Sequence, residues 1–133
     1  MKKLFIKAIE ATDVPKMDVI GKSDPYLLFR LSTTSETWKT SYIKNNHSPV
    51  WNEDFRLPLA SGMSVQLTVE LYDKDDVSKD DIISKMSFDV SKFPFGKVID
   101  EWYDFTPVKG VSKGGKVHLA FCVDDPSNRK FIM

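Results

Sequence analysis

Residues 64–73 read SVQLTVELYD, and this stretch decides the fold class. Every second side chain from Val65 to Leu71 is apolar, and the side chains between them are polar. A period of two puts the apolar residues on one face of a β-strand and the polar residues on the other. Residues 117–123, VHLAFCV, repeat this pattern near the C-terminus. Both stretches are therefore predicted to be strands with one buried face.

Comparable segments follow in both directions, separated by turn-forming residues. No long segment has the 3.6-residue period of a helix, although a short helical turn is possible at 91–95, where Pro94 limits its length. Many short strands between turns are typical of an antiparallel sandwich. We therefore predict an all-β fold, an eight-stranded antiparallel β-sandwich with Greek-key connections. The predicted strands cover residues 3–10, 25–31, 38–44, 52–59, 65–71, 82–89, 100–105 and 116–123.

The size and the composition suit one globular domain. A chain of 133 residues supports a single core, and we place the domain at residues 1–126 with 127–133 as a short tail. Nineteen basic residues balance nineteen acidic ones, which argues against a nucleic-acid-binding protein. Cys122 is the single cysteine, so no disulfide can form within the chain and a reducing compartment is expected.

Two further segments can be interpreted from the sequence, the N-terminal residues and residues 108–116. Lys7 and Glu10 interrupt the apolar residues near the N-terminus, which leaves too short a run for a signal sequence or a membrane span. Any contact with a membrane is therefore expected to involve the folded surface. Residues 108–116, VKGVSKGGK, are predicted to form a surface turn with solvated lysines.

Residues 71–81, LYDKDDVSKDD, concentrate negative charge in a short stretch. Five of these residues are aspartates, and only Lys74 and Lys79 oppose them. Two carboxylates about 4 Å apart repel each other by roughly 4 kcal/mol near a protein surface. The stretch is therefore either a solvated loop or a binding site for a cation. The aspartates are Asp73, Asp75, Asp76, Asp80 and Asp81.

A second acidic segment, residues 17–26, reads MDVIGKSDPY. It contains Asp18 and Asp24, with Gly21 between them to allow a sharp turn. Loops of a sandwich gather at its two ends, so the two acidic segments converge if they lie at the same end. Convergent carboxylates without nitrogen or sulfur ligands favour calcium, which takes six to eight oxygen ligands. The candidate ligands are Asp18, Asp24, Asp73, Asp75 and Asp81.

Other kinds of site fit these residues less well. Zinc prefers histidine and cysteine, and neither acidic loop contains one. An EF-hand that started at Asp73 would have Ser78 in place of the glycine and Ser84 in place of the bidentate glutamate. A two-carboxylate hydrolase would need a nucleophile with its base or a phosphate-binding glycine loop, and the sequence shows neither.

Three motifs occur in order: GKSDPYLLFRL at 21–31, HSPVWNEDF at 47–55 and LYDKDDVSKDD at 71–81. Together they resemble the C2 domain, the calcium-dependent membrane-binding module of conventional protein kinase C and synaptotagmin. Ser48 stands where the family usually has asparagine. The resemblance covers nearly the whole chain. Because the first strand leads directly into the first acidic loop, the chain resembles the phospholipase-type form of the family's two circularly permuted topologies.

The resemblance implies a ligand set for two or three calcium ions in loops at one end of the sandwich. The five candidate aspartates match the family's ligand positions, and Ser78 matches a serine that helps to bind a further ion in some members. Backbone carbonyls of Met17, Lys74 and Lys79 are expected to fill the remaining positions. Asp76 and Asp80 match no usual ligand. We interpret them as solvated charges or as charged residues that surround the ligands without contacting the ion.

The resemblance also implies a function, which is calcium-dependent binding to anionic, phosphatidylserine-containing membranes by a sensor or targeting module that is not an enzyme. The expected protein is a cytoplasmic monomer, recruited to the inner face of the plasma membrane or to other anionic membranes when calcium rises. The expected membrane contacts are Lys22, Val19, Ile20 and Val77, although the three apolar residues would instead be buried if they pack under their loops. A calcium-buffering or calcium-regulated protein-interaction module without lipid binding is the alternative function, and a hydrolase fragment without its catalytic part is a third.

Overall fold

The predicted fold class is confirmed by a computed structural model, which describes residues 2–15, 23–60 and 62–125. Two antiparallel sheets form a β-sandwich, and a 3₁₀ turn at Val90–Lys92 follows the sixth strand. Within the described ranges, no helix is long and apolar enough to cross a bilayer. The strands are β1 (Lys3–Thr12), β2 (Pro25–Leu31), β3 (Thr37–Lys39), β4 (Val50–Pro58), β5 (Gln66–Asp73), β6 (Asp81–Asp89), β7 (Ile99–Asp104), β8 (Thr106–Pro107) and β9 (Lys116–Asp124).

The strand order places the first and last strands side by side. One sheet has the order β4-β1-β9-β7, and the other has the order β3-β2-β5-β6-β8. Lys3 at the start of β1 pairs with Asp124 at the end of β9, and Thr12 at the end of β1 pairs with Lys116. The last strand thus occupies the position beside β1 that the phospholipase-type topology implies.

The alternating apolar residues fill the space between the two sheets. Leu67, Val69 and Leu71 of β5 are fully buried, as are Leu119 and Phe121 of β9. The residues between them in β5 are partly or wholly exposed, so the period of two identifies the core face of this strand. In β9 the prediction of one buried face is wrong, because Ala120 and Cys122 on the opposite face are also buried.

Phe121 lies at the centre of an aromatic cluster in the core. Its ring centroid is 5.0 Å from that of Phe88, 5.2 Å from that of Phe93 and 6.0 Å from that of Tyr103. These rings come from β6, from β7 and from the segment after the 3₁₀ turn, so the cluster joins both sheets. Tilted and offset ring pairs of this kind add to the stability that burial alone provides.

Two strands differ most from the predicted set. The described residues form nine strands rather than eight, because Thr106–Pro107 makes a short strand that pairs with β6. The strand predicted at 38–44 is reduced to β3, since Thr40 ends it. The Thr40 hydroxyl accepts the N–H of Leu27 at 3.0 Å. A side-chain oxygen therefore replaces the backbone carbonyl that would continue the ladder.

Residues 108–116 contain a buried glycine that bonds to the sandwich, in addition to the solvated lysines that the sequence predicts. Lysines 109 and 113 are exposed, but Gly114 is buried. The Ser84 hydroxyl donates to the Gly114 carbonyl oxygen at 2.7 Å. A Cβ atom at Gly114 would lie 2.4 Å from the carbonyl oxygen of Phe105, so this position requires glycine for a close approach of two backbone segments.

Candidate metal centre

The two acidic segments adjoin strands that end together at one end of the sandwich. Asp73 is the last residue of β5, and it pairs with Pro25 at the start of β2 and with Asp81 at the start of β6. Asp24 immediately precedes Pro25. Antiparallel pairing of three neighbouring strands therefore brings Asp24, Asp73 and Asp81 to adjoining positions.

Backbone hydrogen bonds fix Asp73 and Asp24 relative to each other. Asp73 is 2% exposed, and its Oδ1 accepts the N–H of Asp24 at 2.8 Å. Oδ1 of Asp24 accepts the N–H of Asn45 at 2.8 Å, and its carbonyl oxygen accepts the N–H of Lys74 at 3.0 Å. Asn45 has a φ of 51°, in the left-handed region that asparagine tolerates. The loop between β3 and β4 therefore contributes a donor to this site.

A hydrogen bond joins the two described residues that flank residues 16–22, at the same end of the sandwich as Asp24 and Asp73. The Ser23 hydroxyl donates to the carbonyl oxygen of Pro15 at 2.6 Å. Nδ1–H of His47 donates to the carbonyl oxygen of Val14 at 2.7 Å. The first bond joins the two sides of the first acidic loop, and the second attaches Val14 to the loop between β3 and β4. The sequence indicated no role for His47, and the structure shows that it is a structural tie.

The carboxylate of Asp75 is turned towards its own loop. Its Oδ1 accepts the N–H groups of Val77 at 2.9 Å and of Ser78 at 3.2 Å, and its Oδ2 accepts the Ser78 hydroxyl at 2.9 Å. The N–H of Val77 and the two donors of Ser78 lower the pKa of Asp75, because they stabilise its charged form. The carboxylate is thus charged, and a cation that binds it competes with these donors.

Asp80, which the sequence does not predict to be a ligand, connects the third loop to the sheet. Its Oδ2 accepts the hydroxyl of Tyr26 at 2.5 Å. Its Oδ1 accepts the N–H of Asp75 at 3.0 Å and lies 3.6 Å from Nζ of Lys74. Partial burial raises the pKa of Asp80, but these three partners outweigh burial and hold the pKa below its ordinary value. This arrangement fits the interpretation of Asp80 as a charged residue that surrounds the ligands without contacting the ion. It does not fit the interpretation of Asp80 as a solvated charge.

The other predicted residues divide between the exposed third loop and the residues that the structure does not describe. The Val77 side chain is 96% exposed, so it does not pack under its loop. Ser78, Lys79 and Asp81 are exposed, and Lys74 is half-buried. Predictions for five residues remain predictions, since they lie outside the described ranges: Met17, Asp18, Val19, Ile20 and Lys22.

The donor atoms at this end of the sandwich fit a hard cation. The aspartates and Ser78 present carboxylate and hydroxyl oxygens, which are the ligands that calcium prefers. In the part of the chain that the structure describes, no three His, Cys, Asp or Glu side chains already enclose a position for a metal ion.

Comparison with protein families and curated proteins gives a consistent result. The family model of the C2 domain matches residues 2–105. Cytosolic phospholipase A2 delta of Mus musculus is 35% identical over 106 residues, which are 79% of this chain and 13% of that protein. The chain therefore spans only a small part of that relative.

Solved structures agree with the family match. Human GIVD cytosolic phospholipase A2 superposes on the chain with a TM-score of 0.84 and 28% identity, covering 95% of this chain and 16% of that one. A calcium-bound structure of two C2 domains of extended-synaptotagmin 2 gives a TM-score of 0.75 and 33% identity, covering 91% of this chain and 45% of that one.

Proposed function

The chain belongs to the C2 domain family, a family of calcium- and phospholipid-binding modules, and we propose on that premise that it binds anionic, phosphatidylserine-containing membranes when calcium is present. It acts as a sensor or targeting module and is not itself an enzyme. Two or three calcium ions bind in the loops at one end of the sandwich. Their ligands are Asp18, Asp24, Asp73, Asp75 and Asp81, together with Ser78 and the backbone carbonyls of Met17, Lys74 and Lys79.

The buried position of Asp73, next to the backbone of Asp24 and opposite Asp81 in the ladder, is the observation that carries this proposal. Its side chain is 2% exposed, its partner across the ladder is Asp81, and its Oδ1 accepts the N–H of Asp24. Aspartates are rarely buried, because burial penalises a charge. A calcium ion bound by this carboxylate and its neighbours would be held by oxygen ligands, which are the ligands that calcium prefers.

Calcium binding would also change the charge that the loops present to a membrane. The five ligand carboxylates together with Lys22, Lys74 and Lys79 have a formal charge of −2, which two calcium ions change to +2. If Asp76 and Asp80 are counted, the corresponding values are −4 and 0. Repulsion from an anionic leaflet would thus be removed or reversed. Each basic charge near such a surface contributes about 1 kcal/mol to binding.

The test is sedimentation of the full chain with liposomes in four conditions, with and without calcium and with and without phosphatidylserine. The proposal expects the protein to pellet only when both are present, because calcium joins the carboxylates to lipid headgroup oxygens. Calorimetry in the absence of lipid measures calcium binding separately. Calcium binding with no phosphatidylserine-dependent pelleting would favour the alternative, a calcium-buffering or calcium-regulated protein-interaction module.

Val77 is the described residue best placed to enter the membrane. Its 96% exposed side chain stands in the third loop, two residues after Asp75. Insertion of such an apolar side chain into the interface contributes roughly 1.5–3 kcal/mol. Val19, Ile20 and Lys22 of the first loop complete the proposed contact surface.

Val77→Asp should weaken calcium-dependent liposome binding by about tenfold or more, since each 1.4 kcal/mol corresponds to a factor of ten. Calcium affinity without lipid should change far less. The matched control is Val98→Asp, because Val98 is 40% exposed and lies next to Ile99, whose partner Phe121 is remote from the loops. Equal losses in the two variants would exclude a specific contact through Val77, and they would indicate a general effect of added negative charge.

The remaining assignments concern the setting of the protein. We propose that it is a monomer of one domain, residues 1–126, which occupies the cytoplasm and moves to the inner face of the plasma membrane or to other anionic membranes when calcium rises. Its proposed partner is the lipid surface and not a nucleic acid. Size-exclusion chromatography with light scattering, run with and without calcium, tests the monomer assignment.

A further inference from the structure

We propose that Asp80, held by Tyr26, is a positioning residue that sets the geometry of the third loop for calcium, an inference that rests on the proposed function. Asp80 would not contact the ion. Its carboxylate, the Tyr26 hydroxyl and the N–H of Asp75 form a group of three that we call the clasp. Oδ2 of Asp80 accepts the Tyr26 hydroxyl at 2.5 Å, and Oδ1 accepts the N–H of Asp75 at 3.0 Å.

The clasp closes the third loop at its base. The bond between Asp80 and the N–H of Asp75 joins the two ends of residues 75–80, and Asp81 follows directly. The proposed ligands Asp75 and Asp81 therefore stand immediately on either side of this closure. Because Asp81 is also paired with Asp73 at the end of the β5–β6 ladder, fixing Asp80 fixes the separation of Asp75 from the other two carboxylates.

Tyr26 connects this closure to the rigid part of the molecule. It lies on β2, it is 7% exposed, and its ring stacks on that of Tyr72 with centroids 5.4 Å apart and an interplanar angle of 11°. Tyr26 and Tyr72 are direct partners across the β2–β5 ladder. Nζ of Lys39 lies 5.9 Å from the centre of the Tyr26 ring, on the same sheet. The sheet thus fixes the position of the Tyr26 hydroxyl, and this hydroxyl bonds to Asp80 of the third loop.

The geometry suits a strong bond between these two groups, because the Tyr26 hydroxyl donates to a carboxylate oxygen of Asp80 at 2.5 Å. Ordering the loop before calcium arrives removes an entropic cost from binding, which is the general benefit of preorganisation.

The decisive variant is Tyr26→Phe, because it removes one hydroxyl and keeps the ring, the carboxylates and the net charge. We expect calcium affinity, measured by calorimetry on the full chain without lipid, to fall by about tenfold, with an unchanged number of bound ions. In the metal-free protein, amide hydrogen exchange at Asp75 should become faster. The matched control is Tyr72→Phe, which removes the hydroxyl 3.4 Å from Glu70 and should change neither measurement.

Asp80→Ala completes a double-mutant cycle. This variant removes the charge together with both acceptor oxygens of the clasp, so it should weaken calcium binding more than Tyr26→Phe does. The loss in the double variant should be smaller than the sum of the two single losses, because both changes break the same bond. Additive effects, or a Tyr26→Phe affinity equal to that of Tyr72→Phe, would overturn the inference while the proposed function stands. Absence of calcium binding by the unmodified chain would instead refute the proposed function, and the inference with it.

Discussion

Asp73→Asn should weaken calcium binding on the order of 100-fold, which corresponds to about 2.7 kcal/mol. The substitution preserves the shape of the side chain, and its amide oxygen can still accept the N–H of Asp24. The charge is lost from the most buried of the described candidate ligands, where solvent screens it least. Calcium sites depend strongly on the number of charged ligands, so phosphatidylserine-dependent sedimentation at calcium levels that saturate the unmodified protein should disappear as well.

The matched control for Asp73→Asn is Asp76→Asn. Asp76 lies in the same loop but is exposed and outside the proposed ligand set, so this change alters the local charge equally. Its effect on calcium affinity should be only a few-fold, because the charges of exposed groups are screened by solvent and salt. Thermal unfolding of the metal-free proteins checks that each variant is folded. A similar loss of affinity in both variants would contradict the assignment of Asp73 as a ligand.

Phe121→Ala should lower the free energy of unfolding by about 3–5 kcal/mol. Phe121 has no exposed surface, and its ring lies within 6.0 Å, between centroids, of three other rings. Truncation leaves a cavity that joins both sheets, and the antiparallel ladders on either side restrict its collapse. Because folded domains are stable by only about 5–15 kcal/mol, this loss is a large share of the total. Urea unfolding, followed by tryptophan fluorescence, measures it.

Phe95→Ala provides the comparison for Phe121→Ala. Phe95 is 54% exposed, and Nζ of Lys2 lies 5.3 Å from the centre of its ring. Removal of this ring should cost less than about 1 kcal/mol, because exposed positions contribute little to burial. If the two alanine variants lost equal stability, the aromatic cluster would not be the centre of the core that its geometry indicates.

The fold class was predictable because its signal is local. The alternation from Val65 to Leu71 is visible within seven residues, and it correctly predicts both a strand and the buried face of that strand. The details that differ depend on contacts between distant residues. The hydroxyl of Thr40 ends β3 by bonding to Leu27, and the burial of Gly114 depends on the backbone of Phe105. Neither partner can be identified from the residues around it.

The candidate site was predictable to the extent that its residues flank strands. Asp24, Asp73 and Asp81 meet because strands β2, β5 and β6 are neighbours, and a sandwich with both acidic loops at one end implies that meeting. The contact between Tyr26 and Asp80 was not predictable, since it joins residues 54 positions apart and depends on the register of β2 against β5. The turn at Asp75 had a short-range signal that was overlooked, because aspartate commonly accepts the N–H two residues on.

The pairing of Lys3 with Asp124 has a mechanical consequence. Tension that draws these two ends apart acts across the β1–β9 ladder, so the backbone bonds break one after another, as in a zipper. Tension between the acidic loops and only one of these ends runs along the strands, and it loads all the bonds of a ladder together. The sandwich is therefore strong under a force between its loops and one terminal strand, and it is weak under a force that parts the two terminal strands.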